Sequence, residues 1–326
     1  MRWLLKVELT RLRWRRAVVA LVAACVLVPA VIFAATAWNT RPVSAAERQQ
    51  VQQMIEAQAQ DPYVVKEVQR CVARPHRYGV SQGADVRATC ESRFVPTADG
   101  YYGRSPLRLD TEQHGSGIGV AIVLTVLLLI VGTTFVGHDW NSGSMSNQLL
   151  FDPRRARVWA AKGAVVLLAG LVVAGMVLAA YWTGLWALAR HRGLEVPDGA
   201  LSGAYRQALR ATLLAGFAGL GGYALTMLFR STVATLGILF AVAIAGPLLI
   251  TLLGFPGHER LMPQNNYAAV LLDGIDYYQE PTACLGGDCG AVRRHLDPVD
   301  GAGYFGALLL VVAVPSVLSF RRRDVP

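Results

Sequence analysis

Six long stretches of this 326-residue chain contain no Asp, Glu, Lys, Arg or His: residues 17–38, 117–137, 163–189, 211–229, 232–254 and 304–320. A helix needs about 20 apolar residues to cross a hydrocarbon core about 30 Å thick, and each stretch is close to that or longer. Lipid offers an uncharged backbone only two stable forms, the helix and the closed barrel. A surface helix of a soluble protein would show a polar stripe at a period near 3.6, and these runs show none. With 53% hydrophobic residues and a mean hydropathy of +0.37, the chain is too apolar for a soluble domain. The expected fold is an all-α polytopic membrane protein with six transmembrane helices.

The placement of Lys and Arg predicts orientation. With the N-terminus inside, the segments 1–16, 138–162, 230–231 and 321–326 carry fourteen basic residues against Glu8, Asp139, Asp152 and Asp324. The remaining segments hold seventeen basic and eighteen acidic residues, so nearly all of the net charge of +9 lies on one side. Both termini are expected in the cytoplasm, in a bacterial-type plasma membrane. Topology and contact with anionic lipid account for the basic excess, and nucleic acid is not an implied partner. Residues 1–16 interleave Trp3, Leu4, Val7 and Trp14 with Arg and Lys, as an interfacial amphipathic helix would; a plain retention tail would need only the charges. A cleaved signal is not expected, because the 22-residue run exceeds a signal h-region and its small residues near Ala34 and Ala37 lie inside it.

The segments between the runs are unequal. Residues 39–116 form a small extracytoplasmic subdomain, with a polar helical stretch at 46–72 in which Val51, Met54, Ile55, Val65 and Val68 make one face. Residues 190–210 are a short outside connection. Only Arg230 and Ser231 join the fourth and fifth runs, which predicts a tight helical hairpin. In the outside segment 255–303, residues 267–272 are too short to span and lie at the interface. Cys71, Cys90, Cys284 and Cys289 fall on the oxidising side, and Cys25 falls in the first span. Four cysteines permit three pairings; the local ones, Cys71 with Cys90 and Cys284 with Cys289, are preferred. A metal site using Asp288 and His295 competes, although the thiol spacing is weak for zinc.

Chemistry of the chain's own is not written in familiar motifs. There is no GxxxxGK[ST] phosphate loop, no HExxH and no Gly-x-Ser-x-Gly elbow. No catalytic, cofactor or metal site is expected, and His138 with Asp139 reads as an ordinary interfacial pair. Ion-coupled carriers keep ionisable residues at membrane depth, and none of the six runs has one. Active transport would then need an energy source docking from outside the chain. Within the runs, Gly170 with Ala174, Ala215 with Gly219, and the cluster Gly219, Gly221 and Gly222 favour close packing. Pro29, Pro247 and Pro315 remove helical hydrogen bonds. Thr125, Thr133, Thr183, Thr226 and Thr235 either line a path or bond back to their own helices.

The polar island 138–162 reads HDWNSGSMSNQLLFDPRRARVWAAK. Residues 140–151 suit a short helix capped by Ser142, with Trp140, Met145, Leu149 and Phe151 as apolar anchors. Arg154, Arg155 and Arg157 follow its C-terminal end, where the helix dipole and lipid phosphates favour positive charge. Asp139, Gly143, Ser144, Leu149, Leu150, Pro153, Arg154, Arg155 and Lys162, placed directly after the second run, resemble the first cytoplasmic loop of ABC-2 type transporter permeases. Those loops show an acidic residue, Gly-Ser/Thr, a Leu pair, Pro and then basic residues before the third span. The resemblance extends over the chain's whole topology, apart from the insertion 39–116. It implies a permease subunit of an ABC transporter, working as a homodimer or heterodimer with a separate ATP-binding subunit that carries ATP and Mg. The island would be the coupling helix on which that subunit docks. The residues alone also allow a helix that only lies on the membrane. An uncharged interior suits export of a hydrophobic or amphipathic compound. The alternative is a noncatalytic membrane receptor or assembly protein with an extracytoplasmic ligand-binding subdomain.

Overall fold

A computed structural model describes residues 2–80, 85–255, 257–279 and 291–322, without the side chains of residues 2, 3, 99 and 100. The helices in chain order are α1 (Arg2–Trp14), α2 (Arg16–Asn39), α3 (Ala45–Ala59), α4 (Pro62–Ala73), α5 (Val86–Phe94), α6 (Ala98–Tyr102), α7 (Leu109–His114), α8 (Ser116–Asn141), α9 (Ser144–Phe151), α10 (Arg155–His191), α11 (Ala200–Phe229), α12 (Thr232–Leu253), α13 (Pro263–Leu272) and α14 (Pro298–Arg322). One antiparallel hairpin, β1 (Ile275–Gln279) with β2 (Val292–Leu296), precedes α14, with Ile275 opposite Leu296 and Gln279 opposite Val292. Among the described residues, six helical segments are long and apolar enough to cross a membrane: Arg16–Asn39, Leu109–Asn141, Arg155–His191, Ala200–Phe229, Thr232–Leu253 and Pro298–Arg322. The chain is a helical, multi-pass membrane protein on that criterion. The β hairpin departs from a purely helical expectation.

The chain divides into two compact units, residues 35–107 and residues 1–34 with 108–326. The smaller unit replaces the expected helix at 46–72 with two. Asp61 accepts from the Tyr63 amide and Pro62 opens α4, so this Asp-Pro pair ends one helix and starts the next. The expected single apolar face is broken with it: Val51 is buried, whereas Met54 and Val65 are exposed. α3 starts with a capping box, Ser44 Oγ accepting from the Glu47 amide and Glu47 accepting from the Ser44 amide. Cys71 and Cys90 are disulfide-bonded with their Cα atoms 5.8 Å apart. Around them Val68, Tyr78, Val80, Val86 and Phe94 make a small core. Cys284, Cys289 and Asp288 lie outside the described residues.

The core of the larger unit is the packing of α8, α10 and α11. α8 buries Val120, Leu124, Leu128, Val131 and Phe135, a stripe at helical spacing. Small residues let the backbones approach: a Cβ on Gly132 would overlap the Gly219 carbonyl, and one on Gly222 would overlap the Leu129 carbonyl. A Cβ on Gly170 would lie 3.4 Å from the Gly216 Cα, an ordinary contact between α10 and α11. All three small-residue groupings expected from sequence thus place a residue at a helix crossing. The five threonines Thr125, Thr133, Thr183, Thr226 and Thr235 all donate to carbonyls of their own helices. Arg230, at a φ of 58°, and the N-cap Ser231 turn the chain from α11 into α12. The most apolar stretch of α12 is wholly unburied within the chain, and those of α2 and α14 are nearly so.

Candidate functional site

The island folds differently at its start from the expected helix. α8 continues through Trp140 to Asn141, and Ser142 closes it, its hydroxyl donating to the His138 carbonyl. Gly143 then adopts a φ of 67°, a left-handed conformation that costs a side-chain-bearing residue about 1–2 kcal/mol. This turn separates α8 from α9. Gly143, and not Ser142, therefore precedes the first turn of α9, whose Ser144 donates to Asp139 Oδ1 at 3.1 Å.

Behind α9 lies a buried ion network that the charge-free runs concealed. Lys162 on α10 is fully buried, and its ammonium donates to Asp139 Oδ2 on α8 at 2.7 Å and to Glu8 Oε2 on α1 at 2.8 Å. The same ammonium lies 5.5 Å from the centre of the Phe135 ring. Asp139 Oδ1 accepts from Arg15 Nη2, and Arg15 Nη1 donates to the Phe135 carbonyl. Glu8 Oε1 accepts from Gln148 Nε2 of α9 at 2.6 Å, and Gln148 Oε1 accepts from Arg11 at 3.2 Å. Glu8 and Asp139 are completely buried, so each carboxylate has exchanged water for three protein partners. Two carboxylates face Lys162 and the mostly buried Arg15, and this inner set is formally neutral. A balanced, fully hydrogen-bonded set is the condition under which ions tolerate such burial.

The network ties four helices at one end of the larger unit: α1, α8, α9 and α10. It also sets how α1 lies. Leu4, Glu8 and Leu12, four residues apart, are its buried face, while Trp14 is exposed. Of the residues read as one amphipathic set, Leu4 thus lies on the buried face and Val7 is half-buried, and that face carries a carboxylate in its middle. Of the pair read as interfacial, His138 is exposed and Asp139 is the hub of the network.

The remaining expected site residues separate into two groups. Met145 is fully buried, and Trp140 stands edge-on to Phe320 of α14 at 6.2 Å with the Arg230 guanidinium 4.8 Å above its ring. These two anchors face their own chain. Leu149 is half-buried, and Leu150 and Phe151 are 81% and 92% exposed. Pro153 and Arg154 are exposed beside them, the Arg154 amide bonded to Asp152 Oδ1 at 3.1 Å. Arg155 turns inward, donating to the Phe320 carbonyl at 3.5 Å. Sequence reasoning missed Glu8, Arg15 and Gln148. The available signal was Glu8 itself, the lone acidic residue in a sixteen-residue segment with six basic ones.

Comparison with family models, curated proteins and solved structures gives no match to this chain.

Proposed function

We propose that this chain is the membrane subunit of an ATP-driven transporter of the ABC-2 permease type, an exporter of a hydrophobic or amphipathic compound, with both termini in the cytoplasm. A separate ATP-binding subunit docks on residues 138–162, and two permease chains complete the pathway. One observation carries this reading. α9 exposes Leu150 and Phe151 at its tip while Met145 and Gln148 on its other side fasten it to α8, α10 and α1. An apolar tip on a braced helix suits a groove on a partner, and a push on it would pass directly into two candidate spans. The positive-inside distribution supports a cytoplasmic position for this end, where ATP is. The uncharged apolar runs favour an apolar or amphipathic cargo.

The test is purification in mild detergent from the native host. An ATPase subunit copurifies with the wild-type chain, and Leu150→Asp with Phe151→Asp weakens its retention at least about 30-fold, the scale of losing a buried hot spot of about 2 kcal/mol. If the double variant retains the ATPase and its stimulation by substrate, α9 is not the docking element. If it retains the ATPase and only binds lipid less, α9 is an interfacial helix. The compact unit 35–107, with its own disulfide core, favours one second reading: a receptor whose ligand binds there. Absence of any ATPase together with ligand protection confined to 35–107 would select it.

A further inference from the structure

We propose that α1 is a lipid-sensing arm: its outer face binds an anionic membrane surface, and Glu8 on its inner face passes that contact to α9, the cytoplasmic docking element of the reading above on which this inference rests. The two faces of α1 are unlike. Leu4, Glu8 and Leu12 are buried against the protein. Lys6 and Arg13, seven residues apart, share the opposite side and are exposed. With the exposed Arg16 at the start of α2, they are in no ion pair among the described residues. The acids of the segments read as cytoplasmic do not offset these three charges. Glu8 and Asp139 are buried and engaged by Lys162 and Arg15, and Asp152 accepts from the Arg154 amide. Asp324 lies outside the described residues and offsets one charge of the three at most.

An acidic protein would also suit these charges, and the choice of lipid rests on where α1 is held. Arg15 alone separates it from α2, whose charge-free run starts at Ala17. A helix joined so closely to a candidate span stays at the level where that span leaves the apolar layer. Leu9 is 47% and Trp14 81% exposed, and they flank the line of Lys6 and Arg13 on either side. Apolar side chains beside a basic row seat a helix among anionic headgroups.

The route inward is one side chain long. Glu8 Oε1 accepts from Gln148 Nε2 of α9 at 2.6 Å, and Gln148 Oε1 accepts from Arg11 of α1 at 3.2 Å. A bilayer that holds α1 more firmly therefore holds Gln148, and with it α9, more firmly. Because α9 feels the lipid only through α1, its gain is the smaller of the two.

The test is hydrogen exchange on the full-length protein in nanodiscs of phosphatidylcholine alone and of equal phosphatidylcholine and phosphatidylglycerol. With phosphatidylglycerol present, the α1 amides should exchange about fivefold more slowly for each basic residue engaged, and the α9 amides should slow by a smaller factor. Lys6→Gln with Arg13→Gln, both at exposed positions, should remove most of both responses. Gln148→Met should keep the response of α1 and abolish that of α9, with exchange of α8 and α10 unchanged as the check that the fold is kept. Equal exchange of α1 in the two bilayers overturns the proposal without any variant, as does an α9 that fails to follow α1. An α9 response that survives Gln148→Met makes α9 a direct lipid contact and also overturns it. So does an α1 that ignores lipid but is protected by a copurifying soluble subunit. A coupled response of α1 and α9 in protein that retains no ATPase subunit upholds the lipid arm while the docking reading fails, so the two are told apart.

Discussion

Lys162 is the residue on which the buried network turns. Its ammonium is the only group that touches both Glu8 and Asp139 among the described hydrogen bonds. Removing one partner of a buried ion set leaves an uncompensated charge and costs about 3–5 kcal/mol, more than the intact pair adds. Lys162→Met should therefore lower stability by about that amount in a detergent thermal melt. Adding Glu8→Gln to it should recover a large part of the loss, because Asp139 then keeps Arg15 as its partner and the inner set is neutral again. Strict additivity of the two changes would show that the groups do not interact. The network was legible only in fragments. A count of charges inside the apolar runs stops at residue 137 and resumes at 163, whereas α8 and α10 extend past those limits and carry Asp139 and Lys162 within helix. Their burial comes from α1 folding back over them, a long-range contact that no local pattern announces.

At the scale of elements, the crossing of α8 and α11 depends on absent side chains. Gly222 packs where a Cβ would meet the Leu129 carbonyl, a backbone atom that cannot rotate away. Gly222→Val must separate the two helices, and overpacking of this kind costs about 1–3 kcal/mol or more. Gly237 on α12 has nothing within 4 Å of a built Cβ, so Gly237→Ala should be neutral or gain up to about 1 kcal/mol from helix propensity. Parallel melts of the two variants check this: equal losses would mean that the crossing is not tight. The small-residue spacing in α11 pointed to this contact because close approach leaves a sequence trace. α9 left a weaker one. Leu150 and Phe151 were readable as apolar residues in a polar island, but Met145 and Trp140 looked the same, and only the turn at Gly143 decides which of them face outward. The hairpin β1–β2 was missed because Ile275–Gln279 and Val292–Leu296 are short and mostly polar or exposed, with little alternation to read.

For the molecule as a whole, two units of unlike chemistry should lose structure separately. The larger is held by apolar helix packing over long spans, while the smaller has a few buried residues and relies on its cross-link and caps. The Cys71–Cys90 bridge closes a loop of 19 residues and contributes about 3 kcal/mol in the chain-entropy model. The N-terminal cap of α3 adds a pH dependence. Glu47 is held down to about 2 from its ordinary 4.5, first by the hydrogen bond from Arg104 and then by those from Ser44. A lowered carboxyl pKa means that the unfolded chain binds the proton more readily. The stabilisation is therefore complete above about pH 4.5 and fades as the pH falls through about 2. Hydrogen exchange on the full-length protein, corrected for intrinsic rates, reads both effects at once. Cys71→Ser with Cys90→Ser should strip protection from α4 and α5 while leaving α8, α10 and α11 unchanged. Lowering the pH from 5 towards about 2 should weaken α3 first, and Glu47→Gln should remove most of that dependence. Loss of protection in α8 together with α5 on reduction would mean that the units unfold as one, because a bridge confined to the smaller unit acts on the larger only through shared cooperativity.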